Sequence, residues 1–332
     1  MSNIITSPNS LEGASYNFNQ LVLNGADLND IKTHRLKTNA SLLQKDEWEE
    51  LDNTVLQVAR RNLYAVQDLI DRNLTDSLGG LGTLLASYEK ASDMSDADIT
   101  MSPNTNTEED TQGFDLASTP IPVVQKDFTL DVRRLKASRN RGAGLDTTQT
   151  QTATRKVSEA SEKMLVSGAD ITLDGNKIYG YTNFPDRIQG SAPGAWSDSI
   201  DNIYDTVRQM LKDARENGGF RGPFILYVAS NLWEELMQRY SDGSGQTAKE
   251  AVLEKFDELE NIRPLLDMND GELALVQMTS DVVQLKVAEN INTVEWNTQG
   301  GFKSHYKVMA CWAPQLKSDA KGQTGIVHYT GA

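Results

Sequence analysis

Cysteine is almost missing from this chain. Cys311 is the one thiol in 332 residues, which excludes an internal disulfide framework and any cysteine-based metal cluster. It lies in an alternating apolar stretch and reads as a small buried hydrophobe. Histidine is nearly as scarce: His34, His305 and His328 stand far apart, and no pair has metal-ligand spacing. No nucleophile elbow occurs. No phosphate loop does either, since Gly79-Gly-Leu-Gly82 lacks both the spacing and the following Lys-Ser/Thr. No catalytic residue, cofactor or metal ligand is therefore assigned, and the chain is read as a non-enzyme. Long apolar runs are absent too: the longest, Phe224 to Ala229, is far too short to cross a bilayer. The opening Met-Ser-Asn-Ile-Ile-Thr-Ser has neither the basic start nor the apolar core of a secretory signal, so a reducing cytoplasm is the expected place of synthesis.

Positive charge is in deficit. Lys plus Arg number 32 against 47 Asp plus Glu, a balance of −15. A chain this acidic does not bind nucleic acid by neutralising phosphates and does not adhere to an anionic membrane, whereas the charge favours solubility. Apolar residues make up 38%, below the share usual for a compact globule. That shortfall fits an elongated protein with much surface, or polar arms that fold only on assembly.

What is present is organised around residues 119–168. A strand is predicted from Pro120 to Leu130, then a basic run from Arg133 to Arg141, then a long helix from about Asp146 to Ser167. That helix carries only a thin apolar stripe, Ala153, Val157, Ala160 and Met164, so neighbours should hold one side while water wets the other. Before it, residues 1–40 read as an extended arm, and a helix is predicted from about Asp46 to Asn73. Its face is Trp48, Leu51, Val55, Val58, Ala59, Leu63, Val66 and Ile70, with Asp46 and Glu49 placed to cap it. Residues 88–118 form a polar excursion with eight acids against one base, Lys90. A structureless loop of that length inside a compact domain is improbable, so it should be functional or disordered. Beside the basic run it makes a self-complementary pattern that could pair between subunits; two solvated faces are the plain alternative.

Further along, Leu173-Asp-Gly-Asn-Lys177 predicts a hairpin turn, and Ser191 to Gly194 a linker. Helices are expected over Ser199–Asn217, Leu232–Tyr240 and from a Thr247/Glu250 capping box to Leu259, with a buried strand Phe224–Val228 between the first two. Strands follow at 273–278, 282–288, 293–296, 302–312 and 325–329.

The order of these parts resembles that of tailed-bacteriophage major capsid proteins and encapsulins, which share the shell fold of phage Hong Kong 97. The residues that carry the resemblance include Lys45-Asp-Glu-Trp-Glu-Glu-Leu-Asp52 with Arg60-Arg-Asn-Leu-Tyr64, similar to the encapsulin opening helix. Pro120 to Asp131 looks like the strand returning from the extended loop. Ser161-Glu-Lys-Met-Leu-Val-Ser-Gly168 ahead of Ile178-Tyr-Gly-Tyr-Thr-Asn183 resembles the end of the spine helix, and Gly222-Pro-Phe-Ile-Leu-Tyr-Val228 with Trp233 the axial domain. The likeness runs from about Leu43 onward. The arm before Leu43, the excursion at 88–118 and the tail from Lys317 to Ala332 depart from a minimal encapsulin, and these departures favour a phage coat.

The resemblance implies an α+β fold of Hong Kong 97 type. Its parts would be an N-terminal arm (1–44), an N-terminal helix region (45–85) and an extended loop (86–119). A peripheral domain with the spine helix (120–198), an axial α/β domain (199–289) and C-terminal strands returning to the peripheral domain (290–332) would follow. The function implied is self-assembly into an icosahedral shell around the double-stranded DNA of a tailed phage, or a nanocompartment around a cargo enzyme. Partners would be copies of the same chain in pentamers and hexamers, with portal, scaffolding and decoration proteins beside them, enclosed DNA bound without sequence specificity, and no membrane. The site is the virion capsid, assembled in the host bacterial cytoplasm. Inter-subunit contacts are expected between Asp93, Asp96, Asp98, Glu108, Glu109 and Asp110 and a neighbour's Arg133, Arg134, Arg139 and Arg141, with Ser241, Asp242, Gly243, Ser244 and Gly245 at the capsomer centre. Some relatives weld subunits through a Lys–Asn bond, but nothing marks a partner for Lys90, and no weld is expected.

Overall fold

A computed structural model describes residues 45–92, 99, 101, 111, 113–131, 147–216, 218–239, 245–298, 303–319 and 321–332. In chain order the elements are α1 (Lys45–Asn62), α2 (Ala65–Asp71), β1 (Thr75–Ser77), β2 (Leu85–Ala91), β3 (Phe114–Pro120), β4 (Val123–Asp131), α3 (Thr148–Ser167), β5 (Ala169–Leu173), β6 (Asn176–Ile178) and β7 (Ile188–Ser191). They continue with α4 (Ile200–Glu216), β8 (Phe224–Ala229), α5 (Trp233–Leu236), α6 (Ala248–Lys255), β9 (Leu259–Leu265), β10 (Leu273–Gln277), β11 (Val283–Thr298), β12 (Lys303–Leu316) and β13 (Ile326–Thr330). Two compact units result, the first drawn from 1–84, 121–163 and 285–313, the second from 85–120, 164–284 and 314–332.

The first unit holds a four-stranded sheet in the order β1-β11-β12-β4. β1 runs parallel to β11, and β12 pairs antiparallel with β4 from Lys303 opposite Asp131 to Cys311 opposite Val123. Its core gathers Trp48, Leu51 and Val55 of α1 with Tyr306 of β12. The Tyr306 ring stacks on Phe128 at 5.2 Å, and its hydroxyl donates to Glu295 Oε1 at 3.1 Å. Cys311 is buried as expected, and burial pushes its thiol pKa up.

The helix expected over 46–73 is two helices. The break at Leu63 and Tyr64 has a partner: Glu162 of α3 accepts the backbone N–H of Ala65 at 3.2 Å and of Val66 at 3.1 Å. A carboxylate from another element thus satisfies donors that a continuous helix would have bonded to its own carbonyls. Val58 and Ile70 are half-buried, while Trp48, Leu51, Val55, Ala59, Leu63 and Val66 are buried as the periodicity predicts.

The stripe expected on α3 needs correction. Ala153, Val157 and Met164 are buried, but Ala160 is exposed. The buried face runs instead through Thr150, Thr154, Ser158, Ser161 and Glu162. Hydroxyls can go inside a helix because they bond back to its own carbonyls: Thr154 Oγ1 donates to Thr150 O and Ser161 Oγ to Val157 O, both at 2.9 Å.

In the second unit a five-stranded sheet has the order β7-β13-β10-β8-β9. Every side chain of β8 is buried, as the strand at Phe224–Val228 requires. α4 covers the sheet with Ile203, Val207, Met210 and Ala214. It stops at Gly219, whose φ is +70° and whose N–H donates to Arg215 O at 2.9 Å. The helix expected to reach Leu259 ends at Lys255, because Phe256 is already extended and Pro264 suits an edge strand better than a helix interior. The helix expected over 232–240 shrinks to a 3₁₀ turn and the single turn of α5. The strands expected at 282–288 and 293–296 are one strand, β11. Residues 290–332, expected as one set of strands, enter two sheets: β12 pairs with β4, whereas β13 pairs antiparallel with β10 and parallel with β7.

Candidate functional site

The polar excursion at 88–118 has a structured root. β2 and β3 pair antiparallel from Leu85 opposite Pro120 to Ala91 opposite Phe114, so the strand expected to open at Pro120 begins earlier and breaks at Ile121 and Pro122. Residues directly opposite share a face, and the ribbon's two faces differ. On one, Ala86 and Thr119 are buried and Tyr88 is half-buried. On the same face Lys90 Nζ donates to Ser318 Oγ at 2.7 Å and pairs with Asp186 Oδ2 at 3.2 Å, while Ser318 also hydrogen-bonds Asp186. Burial raises the Tyr88 pKa, with Lys90 opposing. On the other face Ser87, Glu89, Phe114 and Leu116 are exposed.

The turn that follows the spine helix is built by the Ile178–Asn183 segment. Gly168 has φ +72°, and the backbone N–H groups of Tyr181 and Thr182 donate to Leu165 O and Val166 O at 3.0 and 2.9 Å. Asn183 closes the arrangement, donating through Nδ2 to Ser167 O and accepting from Gly180 N–H, each at 2.7 Å. A Cβ at Gly180 would meet Gly168 N at 2.4 Å, which is why glycine stands there. The Asp174-Gly175 turn ahead of it has both residues at positive φ, the geometry the hairpin signal predicts.

Glu162 is a buried carboxylate of the first unit. Burial lifts its pKa to about 7, against the pull of the Ala65 and Val66 N–H groups. His328 is kept neutral-leaning by burial, with Arg187 Nε donating to its Nδ1 at 3.4 Å. His305 stacks on Trp296 at 5.3 Å and hydrogen-bonds Thr298. Both histidines are accounted for by packing. Among the described residues no group of three or more His, Cys, Asp or Glu is placed to hold a metal ion, and no helix is long and apolar enough to cross a membrane.

Of the contact residues expected from sequence, Asp93, Asp96, Asp98, Glu108, Glu109 and Asp110 lie outside the described residues, as do Arg133, Arg134, Arg139 and Arg141. Ser241, Asp242, Gly243 and Ser244 lie outside as well; Gly245 is exposed with φ +78°. His34 is also outside. Sequence reading missed Glu162, Asp186 and Ser318, whose roles depend on partners 96 to 228 residues away.

A two-stranded ribbon, a long half-buried helix and an α/β unit are the parts of the Hong Kong 97-type shell fold, and solved shells superpose on this chain. A virus-like particle from Pyrococcus furiosus matches with a TM-score of 0.60 at 16% identity, covering 85% of this chain and 98% of that one. The capsid of Myoviridae phage XM1 matches with a TM-score of 0.61 at 14% identity, covering 78% and 89%. In sequence, the type 1 encapsulin shell protein EncA of Myxococcus xanthus is 26% identical over 229 residues, 67% of this chain and 70% of that protein. The chain belongs to the family of unknown function DUF6260, which matches residues 37–329.

Proposed function

We propose that this chain is the major capsid protein of a tailed bacteriophage, self-assembling through pentamers and hexamers into an icosahedral shell that encloses double-stranded DNA. The role is structural, without catalysis. The observation that carries the reading is the fold itself, with a two-stranded ribbon, β2 and β3, at the root of the polar segment 88–118. A protein that lives alone has little use for such a ribbon. The balance of −15 suits a wall past which DNA must slide rather than stick. Residues 1–44 and the long segment between β2 and β3 exceed a minimal cargo shell, which supports the phage reading over the nanocompartment. The acidic segment 93–110 and the basic run 133–141 would set register between neighbours; exposed pairs contribute only about 0–1 kcal/mol each. Assembly would take place in the host cytoplasm, with portal, scaffolding and decoration proteins as further partners.

The alternative is an encapsulin-type compartment, favoured by the sequence likeness to a shell protein of that kind. Purified particles separate the two by content. Nuclease-protected DNA in particles from infected or induced cells supports the phage coat, whereas a co-purifying protein cargo and no DNA would support the compartment.

A further inference from the structure

His328 of β13 is buried, 6% exposed, between two charged side chains. Arg187, the residue that leads into the edge strand β7, donates from Nε to His328 Nδ1 at 3.4 Å. Glu272, the residue that leads into β10, places Oε1 3.8 Å from His328 Nε2. In the sheet His328 lies beside Gln189 of β7 on one side and opposite Ala274 of β10 on the other. An accepting Nδ1 puts the proton of the neutral ring on Nε2. Among the described residues Nε2 has no hydrogen-bond partner, since 3.8 Å to Glu272 is too long for one. The Glu272 carboxylate is engaged by Asn269 instead, through its backbone N–H at 3.2 Å and Nδ2 at 3.0 Å.

We propose that Arg187, His328 and Glu272 form a proton-operated catch on the β7 edge of the five-stranded sheet. With His328 neutral, Nδ1 holds the Arg187 guanidinium and with it the start of β7. A proton on Nδ1 removes that acceptor and sets two cations face to face, with only Glu272 to offset them. β7 is four residues long and paired on one side, so few other bonds hold it in place. Burial keeps His328 below its ordinary pKa of 6.5, Glu272 pulls it back up and Arg187 adds to the lowering. The neutral ring therefore stabilises the closed edge above pH 6.5, and that contribution is lost as the pH falls from there through the lower folded value. The catch belongs to one sheet and does not depend on whether the chain builds shells.

Hydrogen–deuterium exchange of the full chain, read by mass spectrometry at about pH 7.5 and about pH 5, tests it, with each rate divided by that of the unfolded chain at the same pH. Wild type should lose about tenfold of its β7 protection at the lower pH, because an open edge returns His328 to water and to its ordinary pKa. β9, the opposite edge of the same sheet, carries no histidine and should not change. H328Q, uncharged at both pH values, should show the same β7 protection at each. R187M should begin with lower β7 protection and lose less of it on acidification, and it decides the matter should H328Q not fold. Wild-type β7 protection equal at the two pH values would overturn the proposal. So would a pH-dependent loss that survives in H328Q, or an R187M chain that matches wild type at both.

Discussion

Replacing Glu162 with Gln should remove a pH dependence from the first unit. The side chain is 5% exposed, and burial raises its pKa from 4.5 to about 7, with Asp68 adding to the rise. In the unfolded chain the group returns to its ordinary value. Because the folded pKa lies above the unfolded one, the associated stability is fully present below about pH 4.5 and is lost as pH rises through 7. The gap between those two values corresponds to about 3 kcal/mol. Gln keeps one oxygen for Ala65 or Val66 but turns an amide N–H toward the other. That leaves a buried donor unpaired at a cost of about 1–3 kcal/mol at every pH. E162Q should therefore be the less stable protein near pH 5, and the difference should shrink by about 3 kcal/mol, to zero or beyond, near pH 8. Urea denaturation of the unassembled subunit at both pH values measures it. Parallel stability curves for the two proteins would refute the burial of an ionisable Glu162 at the start of α2.

Other residues give sharper yes-or-no outcomes. Gly180→Ala places a Cβ 2.4 Å from Gly168 N and should lower subunit stability by about 1–3 kcal/mol or more, seen as a fall in Tm, whereas Gly82→Ala, with nothing within 4 Å, should leave it unchanged. Thr247→Ala removes the half of the capping box in which Glu250 N–H donates to Thr247 Oγ1 at 3.3 Å, leaving the backbone N–H of residue 247 on Glu250, and should cost about 1 kcal/mol in the same assay. Cys311, 1% exposed, should resist a thiol reagent in the native protein and react fully in denaturant. Lys90 is held by Asp186 and Ser318, so assembled shells boiled in detergent should run as single subunits on a denaturing gel; a ladder would contradict this.

Much of the fold was legible because it depends on short-range signals. Periodicity marked the apolar face of α1, Asp174-Gly175 the hairpin, Gly218-Gly219 the end of α4, and Thr247 with Glu250 the start of α6. Where the reading failed, long-range partners had overruled local pattern. Glu162, 96 residues from Val66, caps α2 and divides a helix whose own sequence looks continuous. Ser161 and Thr154 are buried because a back-bonded hydroxyl behaves as an apolar surface, while Ala160, though apolar, faces water. β1, β7 and β9 went unread: three or four residues long, or carrying Pro264, they lie at sheet edges, where pattern is weakest. The polar excursion at 88–118 was legible from its length and composition, but the ribbon at its root was not, because β2 and β3 exist only once Leu85–Ala91 pairs with Phe114–Pro120.

The most direct measurement is electron microscopy of the purified full-length protein. The account predicts closed shells of uniform diameter built from this chain alone or with its assembly partners. A uniform population of particles no larger than one or two subunits, under conditions where the chain is folded and concentrated, would contradict it.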